Sequence, residues 1–556
     1  MRRRNQFVIV VVFLAVFVFA WGSSREEKSE VVGASKYEDL VSLFKEWREF
    51  QKPKIINGVP DYTPAAMKEQ KSGLEKFKSQ LKAIDCSGWP ISQQADYHLV
   101  RAEMNGLDFD HRVMRPWSRD PGFYEVVSFQ FGPKMYGALR IPKLPLQPKD
   151  IAEFRMKLQA IPKILEQAKG NLTEEAKDLW SISVRRQKKE RGILEDLAKQ
   201  LAQHHPDLVP EAEQAKAAVD SFHEWIEKKQ SKMTAPSGIG IENYNWYMKN
   251  VLLFPYTWEE QLVIVQRELE RASAFLKLEE NRNRKLLKLE RAASEEEYSR
   301  RFNEATKYIM EFYRQEEIFT VPDYMHIAPK VEFVLSESRR DIFEQIELLD
   351  SLPMRAHGTH QLDELRGEHE PHPSPIRRAP RLYFIDGIRA EGLATGNEEL
   401  MMALGLFDKR SPRVRELIYI LLASRASRAM GNLKMHSNEF TLDDDVNFTV
   451  EWTPRKWVFR GGQVGQVWKM HNNAWVDRDG PVWGDMERYL RVPGYGAGYI
   501  VGKVHIDKLL ADRAHQLGEK FNLKQFMDEF YAAGMIPIEL TRWEMTGLGD
   551  EIKKLW

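Results

Sequence analysis

From Tyr37 onward the apolar residues of this chain recur three and four positions apart, and that period commits most of its length to helices. Tyr37, Leu40, Leu43, Phe44 and Trp47 make the first stripe; Leu74, Phe77, Leu81 and Ile84 make a second within 65–84. The same pattern predicts helices over 91–104 with Ser92 as N-cap, over 151–168, 173–201 and 210–229, and from Trp258, capped by Thr257, to about Ala292. Further on it predicts a helix over 412–429, then, past a segment 433–440 that carries His436, a helix opened by Thr441 with three aspartates in its first turn, and three more helices after Pro493. Two stretches break the period: 109–146, rich in aromatics and prolines, and 457–483, rich in glycine and tryptophan and read as an insertion loop. A small β element is expected at Val331–Val334.

The 556 residues are enough for two or more core-bearing units. Lys+Arg 82 balances Asp+Glu 82, so net charge points to neither nucleic acid nor a membrane surface. Cys86 is the single cysteine, which rules out an intrachain disulfide and a cysteine-based zinc site. Arg2, Arg3 and Arg4 precede an apolar run over 7–21, and Ala20-Trp21-Gly22 offers small residues for cleavage. Residues 1–22 therefore read as a signal peptide and 23–34 as a flexible linker, with the mature protein periplasmic or extracellular; the alternative is an anchor formed by 7–21. Contact with a membrane is expected through that segment only.

Chemistry concentrates between His357 and Glu399. His357, His360, His369 and His372 lie there, with His326 upstream. Glu391 and Glu398 follow, seven residues apart, so on a helix they share a face. A zinc hydrolase of the His-Glu-x-x-His kind pairs such histidines with a later glutamate. Here Gln361 follows His360, and Glu364 stands four positions on. An amide takes no proton near neutral pH, so Gln361 is no general base. Each of these residues also has an ordinary reading: polar loop histidines, solvated helix carboxylates, core tyrosines. Gly494, Gly496, Gly498 and Gly502 lack the Gly-Lys-Ser/Thr and strand context of a phosphate loop.

Several blocks together resemble the bacterial family catalogued as domain of unknown function 885, placed among zincin-clan, metallopeptidase-like proteins. Pro493-Gly494-Tyr495 through Ile506 is similar to its Pro-Gly-Gln-Ala-x-x-Tyr block, and Glu391-Gly392-Leu393-Ala394 through Glu398 to its Glu-Gly-Trp-Ala-x-x-x-Glu block. Arg428 to His436 matches its Arg-x-x-x-Asp-x-x-x-His spacing, with Asn432 in place of Asp. The resemblance covers most of the chain beyond the leader. It implies a mainly α, multi-helix, zincin-like architecture with a central cleft, one family domain in two helical parts (35–330 and 331–556), and zinc-dependent hydrolysis of a peptide or peptide-like substrate. By the resemblance His360 and Glu391 are metal ligands and Glu364 a substitute group one turn after His360. His436 and Tyr499 are donors to the oxyanion, Arg428 and Tyr495 contact substrate, and Glu398 orients a ligand from behind. The family's His-Glu-x-x-Pro-Gly-His-His is reduced here to Ala356-His357-Gly358-Thr359-His360-Gln361, and Tyr495 stands where Gln is usual. Two functions follow: an exported hydrolase with an altered metal site, or a non-catalytic exported peptide-binding or scaffolding protein. Metal held by His360 and Glu391 favours the first; carboxylates paired with Arg377, Arg378, Arg425 or Arg428 favour the second.

Overall fold

The apolar stripes bury against one another in a mainly helical fold. The computed structural model describes residues 35–127, 135–326, 342–458, 470–471, 474–475 and 481–555. One continuous core runs from Leu40 to Leu555 and draws on both sequence parts. Two antiparallel strand pairs, Ile55–Ile56 with Val59–Pro60 and Met470–His471 with Ala474–Trp475, are the strand pairs among the described residues. The element expected at Val331–Val334 lies outside them, as do the leader and linker.

Helix starts follow local chemistry. At Thr257 the side chain accepts from the Glu260 amide (3.3 Å) while the Glu260 carboxylate accepts from the Thr257 amide (2.8 Å), a reciprocal cap. Thr441 and Asp444 repeat it. Other boundaries depart from the periodicity. The helix Ile91–Phe109 is preceded by Pro90, with Ser92 already inside it. The helix Trp258–Arg282 stops ten residues short of Ala292, because Asn283 turns inward and donates to the Glu416 carboxylate (3.0 Å). The leucines that prolonged the pattern, Leu286 and Leu287, are exposed. The segments expected at 412–429 and 433–440 are largely one helix, Val414–His436, and the end of the expected insertion loop belongs to the helix Pro481–Arg491.

Three helices position the candidate site: Gly387–Ala403, the central Val414–His436, and Tyr495–Leu517. The central helix is buried nearly all round, including Arg425, Arg428, Asn432 and His436. The first and third cross backbone to backbone. A β-carbon on Gly392 would sit 2.5 Å from the Gly502 carbonyl carbon, and one on Gly502 would sit 2.2 Å from the Ile388 oxygen. Hence the glycine-rich tail block serves helix packing.

Buried charge ties the ends of the chain to this centre. Asp96 accepts from Arg377 (2.6 Å), Ser374 (2.6 Å) and Tyr37 (2.5 Å), and Arg377 also pairs with Glu544. His505 lies between Glu539 (2.8 Å) and Glu551 (3.5 Å), against Phe254 and Tyr256, with Lys508 and Arg542 also on Glu551. Burial opposes the imidazolium, but the two glutamates outweigh it and hold His505 up to about 9. A histidine raised from about 6.5 contributes stability that is fully present below that value and is lost as pH rises through about 9. Melting temperature is therefore expected to fall by a few degrees between pH 7 and 10, and thermal scans of His505→Gln should lose that component. Among the described residues no helix is long and apolar enough to cross a membrane.

Candidate metal centre

His357 closes the short helix Leu352–His357, and Gly358 breaks the chain before Thr359–His369 begins. The break turns the two histidines toward one another, ring centroids 5.3 Å apart. Asn397 fixes the approach of the glutamate helix: its amide donates to the Ala356 carbonyl (2.7 Å), joining the neighbours of His357 and Glu398. A buried Arg389–Asp363 pair does the same one turn beyond His360. Ligand atoms of His357, His360 and Glu391 consequently lie within 4.8 Å of one another, the one such group of histidine, cysteine or acidic side chains among the described residues.

Around the group each polar contact has a direction. Tyr495 donates to Glu391 Oε1 at 2.5 Å, leaving the other carboxylate oxygen without a bond from the phenol. His357 Nδ1 is 3.0 Å from Glu398 Oε1, and Glu398 Oε2 accepts from Arg425 at 2.8 Å. Arg425 Nη2 also stands 3.2 Å from His357 Nδ1. Donation by Nδ1–H to the carboxylate satisfies a buried oxygen that otherwise lacks a donor, and leaves Nε2 with its lone pair. Burial, then Arg425 and His360, hold the His357 imidazole well below its usual range, so it is neutral as a ligand must be. Burial pushes Glu398 up to about 7 against the pull of Arg425. Tyr495 and Tyr499 are pushed up by burial and then by Glu391, so both stay phenols. His360 keeps Nδ1 buried without a hydrogen-bond partner, an orphan that metal ligation would explain.

The residues singled out from sequence separate into those gathered here and those that are not. His360, Glu391, Glu398, Tyr495 and Tyr499 meet, and Arg428 stacks over Tyr499 at 5.6 Å while pairing with Asp485. Glu364 corrects the expectation of a substitute group: it lies on the outer face of its helix, exposed, and outside the ligand group. His436 also departs from its expected role as oxyanion donor. It is fully buried, packs at a tilt against Tyr244 with ring centroids 5.6 Å apart, and donates Nε2–H to the Tyr489 carbonyl at 3.0 Å, so its donor is committed to the backbone. Burial pulls it down to about 4. Asn432 uses both ends of its amide, donating to the Tyr489 carbonyl (3.2 Å) and accepting from the Ala497 amide (3.1 Å), a pairing aspartate could not complete. His369 is exposed and stacks on Tyr324, and His372 accepts from the Ser374 amide. Sequence reasoning named His357 but gave it no ligand role. The signal available was His-x-x-His, one helical turn in spacing.

The fold and this group define a mainly helical protein with two imidazoles and one carboxylate assembled around a buried arginine–glutamate pair. Residues 361–545 match the model of the family described as bacterial protein of unknown function (DUF885). The match supports the family read from the Glu391 and Pro493 blocks; it begins one residue after His360. A candidate lipoprotein of unknown function from Shewanella oneidensis has a similar structure, with a TM-score of 0.68 at 14% identity, over 92% of this chain and 100% of that one. A second candidate lipoprotein, from Colwellia psychrerythraea, gives 0.61 at 14% identity, over 92% and 99%. At that identity the likeness is one of fold. No curated protein matches the chain.

Proposed function

We propose that this chain is an exported, zinc-dependent hydrolase of peptide bonds whose metal is held by His357, His360 and Glu391. The donor set carries the reading. Two imidazoles and a carboxylate within 4.8 Å are the composition of catalytic zinc sites that keep a fourth position for water or substrate. Zinc bound there would polarise a substrate carbonyl and lower the pKa of water. The chain's own residues do the rest. Glu398 fixes the His357 tautomer through Nδ1, and Arg425 holds Glu398 in place. Tyr495 occupies one oxygen of Glu391 and orients the other. Tyr499, between Tyr495 and Arg428, is the donor for a carbonyl oxygen gaining charge. Arg428 keeps Nε and Nη2 buried without partners, the forked edge that a substrate carboxylate would satisfy. Export rests on the three arginines and apolar run of the leader, and on the candidate lipoproteins that share the fold.

The test is a peptide library incubated with the zinc-loaded protein and read by mass spectrometry beside His360→Ala. Cleavage by the parent that falls to background in the variant is the expected outcome. One observation favours the non-catalytic reading: Glu398 is paired with Arg425, and Gln361 occupies the position of the family's base. Peptides retained but never cleaved by the zinc-loaded protein would make it a peptide-binding protein.

A further inference from the structure

A pocket of about 340 Å³ opens near Tyr495, the phenol that donates to Glu391. Its walls are aromatic: Trp117, Phe123, Tyr247, Tyr383 and Phe384. Phe384 stands edge-on to Tyr495, centroids 5.8 Å apart. One carboxylate faces into it, Asp110, and among the described residues that side chain has no hydrogen bond and no salt bridge. Of the other charges on the wall, Arg491 pairs with Asp120 (2.8 Å) and Glu125 (3.3 Å), and Arg381 gives Nε and Nη2 to the carbonyls of Ile376 and Ala379 while its Nη1 is without a hydrogen-bond partner.

The backbone is unusual at the same place. Asp110 opens a single wide turn, Asp110–Met114, which ends at Arg115 with φ 42°. Tyr383 and Phe384 are consecutive non-glycine residues in the left-handed region, at φ 59° and 52°. Such conformations cost free energy and persist where the surroundings hold them, commonly at ligand clamps. Tyr383 is held by α-carbon contact: a β-carbon on Gly106 would lie 2.3 Å from its ring. Tyr247 completes the clamp by donating to the Tyr383 carbonyl at 3.2 Å.

A lone carboxylate among ring faces is the recognition chemistry of a cation, through charge at one end and ring quadrupoles around it. We propose that this pocket binds a protonated primary amine carried on an apolar or aromatic body, with Asp110 as its counter-ion. The site is distinct from the metal group and does not require it. Burial raises the Asp110 carboxyl to about 7.

Titration calorimetry with 2-phenylethylamine, and with 2-phenylethanol as its neutral isostere, tests this on the purified protein. The amine is expected to bind at least about tenfold more tightly than the alcohol, with that preference lost in Asp110→Asn and kept in Glu391→Ala. Asp110→Asn removes a lone half-buried charge, so its melting temperature should match or exceed the parent's. Equal affinity for amine and alcohol in the parent would overturn the proposal without recourse to any variant. So would an amine preference that survives Asp110→Asn, or one that disappears with Glu391.

Discussion

His357→Ala is expected to abolish stoichiometric zinc binding, with a larger loss of affinity than the ~10–100-fold typical of a residue that only orients a ligand. His357 is one of three donors within 4.8 Å, it is neutral, and its Nδ1 is taken by Glu398, so Nε2 is available. Glu398→Gln should then fall in the smaller, ~10–100-fold class, because the amide still fills the space but holds the imidazole less firmly. Glu364→Ala should leave affinity unchanged, since that side chain is exposed on the far face of its helix. The measurement is competition with a chelating dye, alongside melting curves for each variant. A parent that takes up no zinc would sink the metalloenzyme reading. A parent that binds zinc, with Glu364→Ala as damaging as His357→Ala, would return the ligand set to the arrangement suggested by sequence. Arg425, 3.2 Å from His357 Nδ1, sharpens the test: a guanidinium that close disfavours added positive charge unless Glu398 neutralises it.

What sequence could reveal here divides along the line between local and tertiary causes. The mainly helical fold was legible because amphipathic periodicity is a local record of burial, and the Thr257 and Thr441 caps were legible because capping is settled within four residues. The same logic placed Glu391 and Glu398 on one helical face, and both are buried there. The failures have tertiary origins. Asn283 ends a helix because Glu416, far along the chain, accepts from it. His357 was given no ligand role because the familiar zinc pattern assumes one unbroken helix with histidines four apart. Here the pair is three apart across a break at Gly358, and its geometry depends on Asn397 and Arg389 from another helix. His436 matched a family spacing, yet the carbonyl that consumes its donor belongs to Tyr489, which no spacing names.

Gly392→Ala is expected to destabilise the protein and weaken zinc binding together, although the same substitution in an isolated helix would stabilise it by roughly 1 kcal/mol. The added β-carbon would lie 2.5 Å from the Gly502 carbonyl carbon and 2.9 Å from the Lys503 amide. Both are backbone atoms of a helix buried on this face, so relief requires moving the helix, and overpacking of this kind costs about 1–3 kcal/mol, occasionally more. The displacement has a chemical consequence because of where the crossing lies. Glu391 adjoins Gly392, and Tyr495 and Tyr499 lie within two turns of Gly502. Prising the helices apart therefore lengthens the 2.5 Å bond from Tyr495 to Glu391 and shifts a ligand relative to His357 and His360. Gly502→Ala should behave alike, its β-carbon meeting the Ile388 oxygen at 2.2 Å. Gly170→Ala, also helical but with nothing within 4 Å, is the control and should be neutral or slightly stabilising. Melting temperature and zinc affinity measured on all three variants separate the possibilities. Stability lost with affinity intact would mean that the metal group does not depend on the crossing. Both retained would mean that the two helices are not in backbone contact at Gly392.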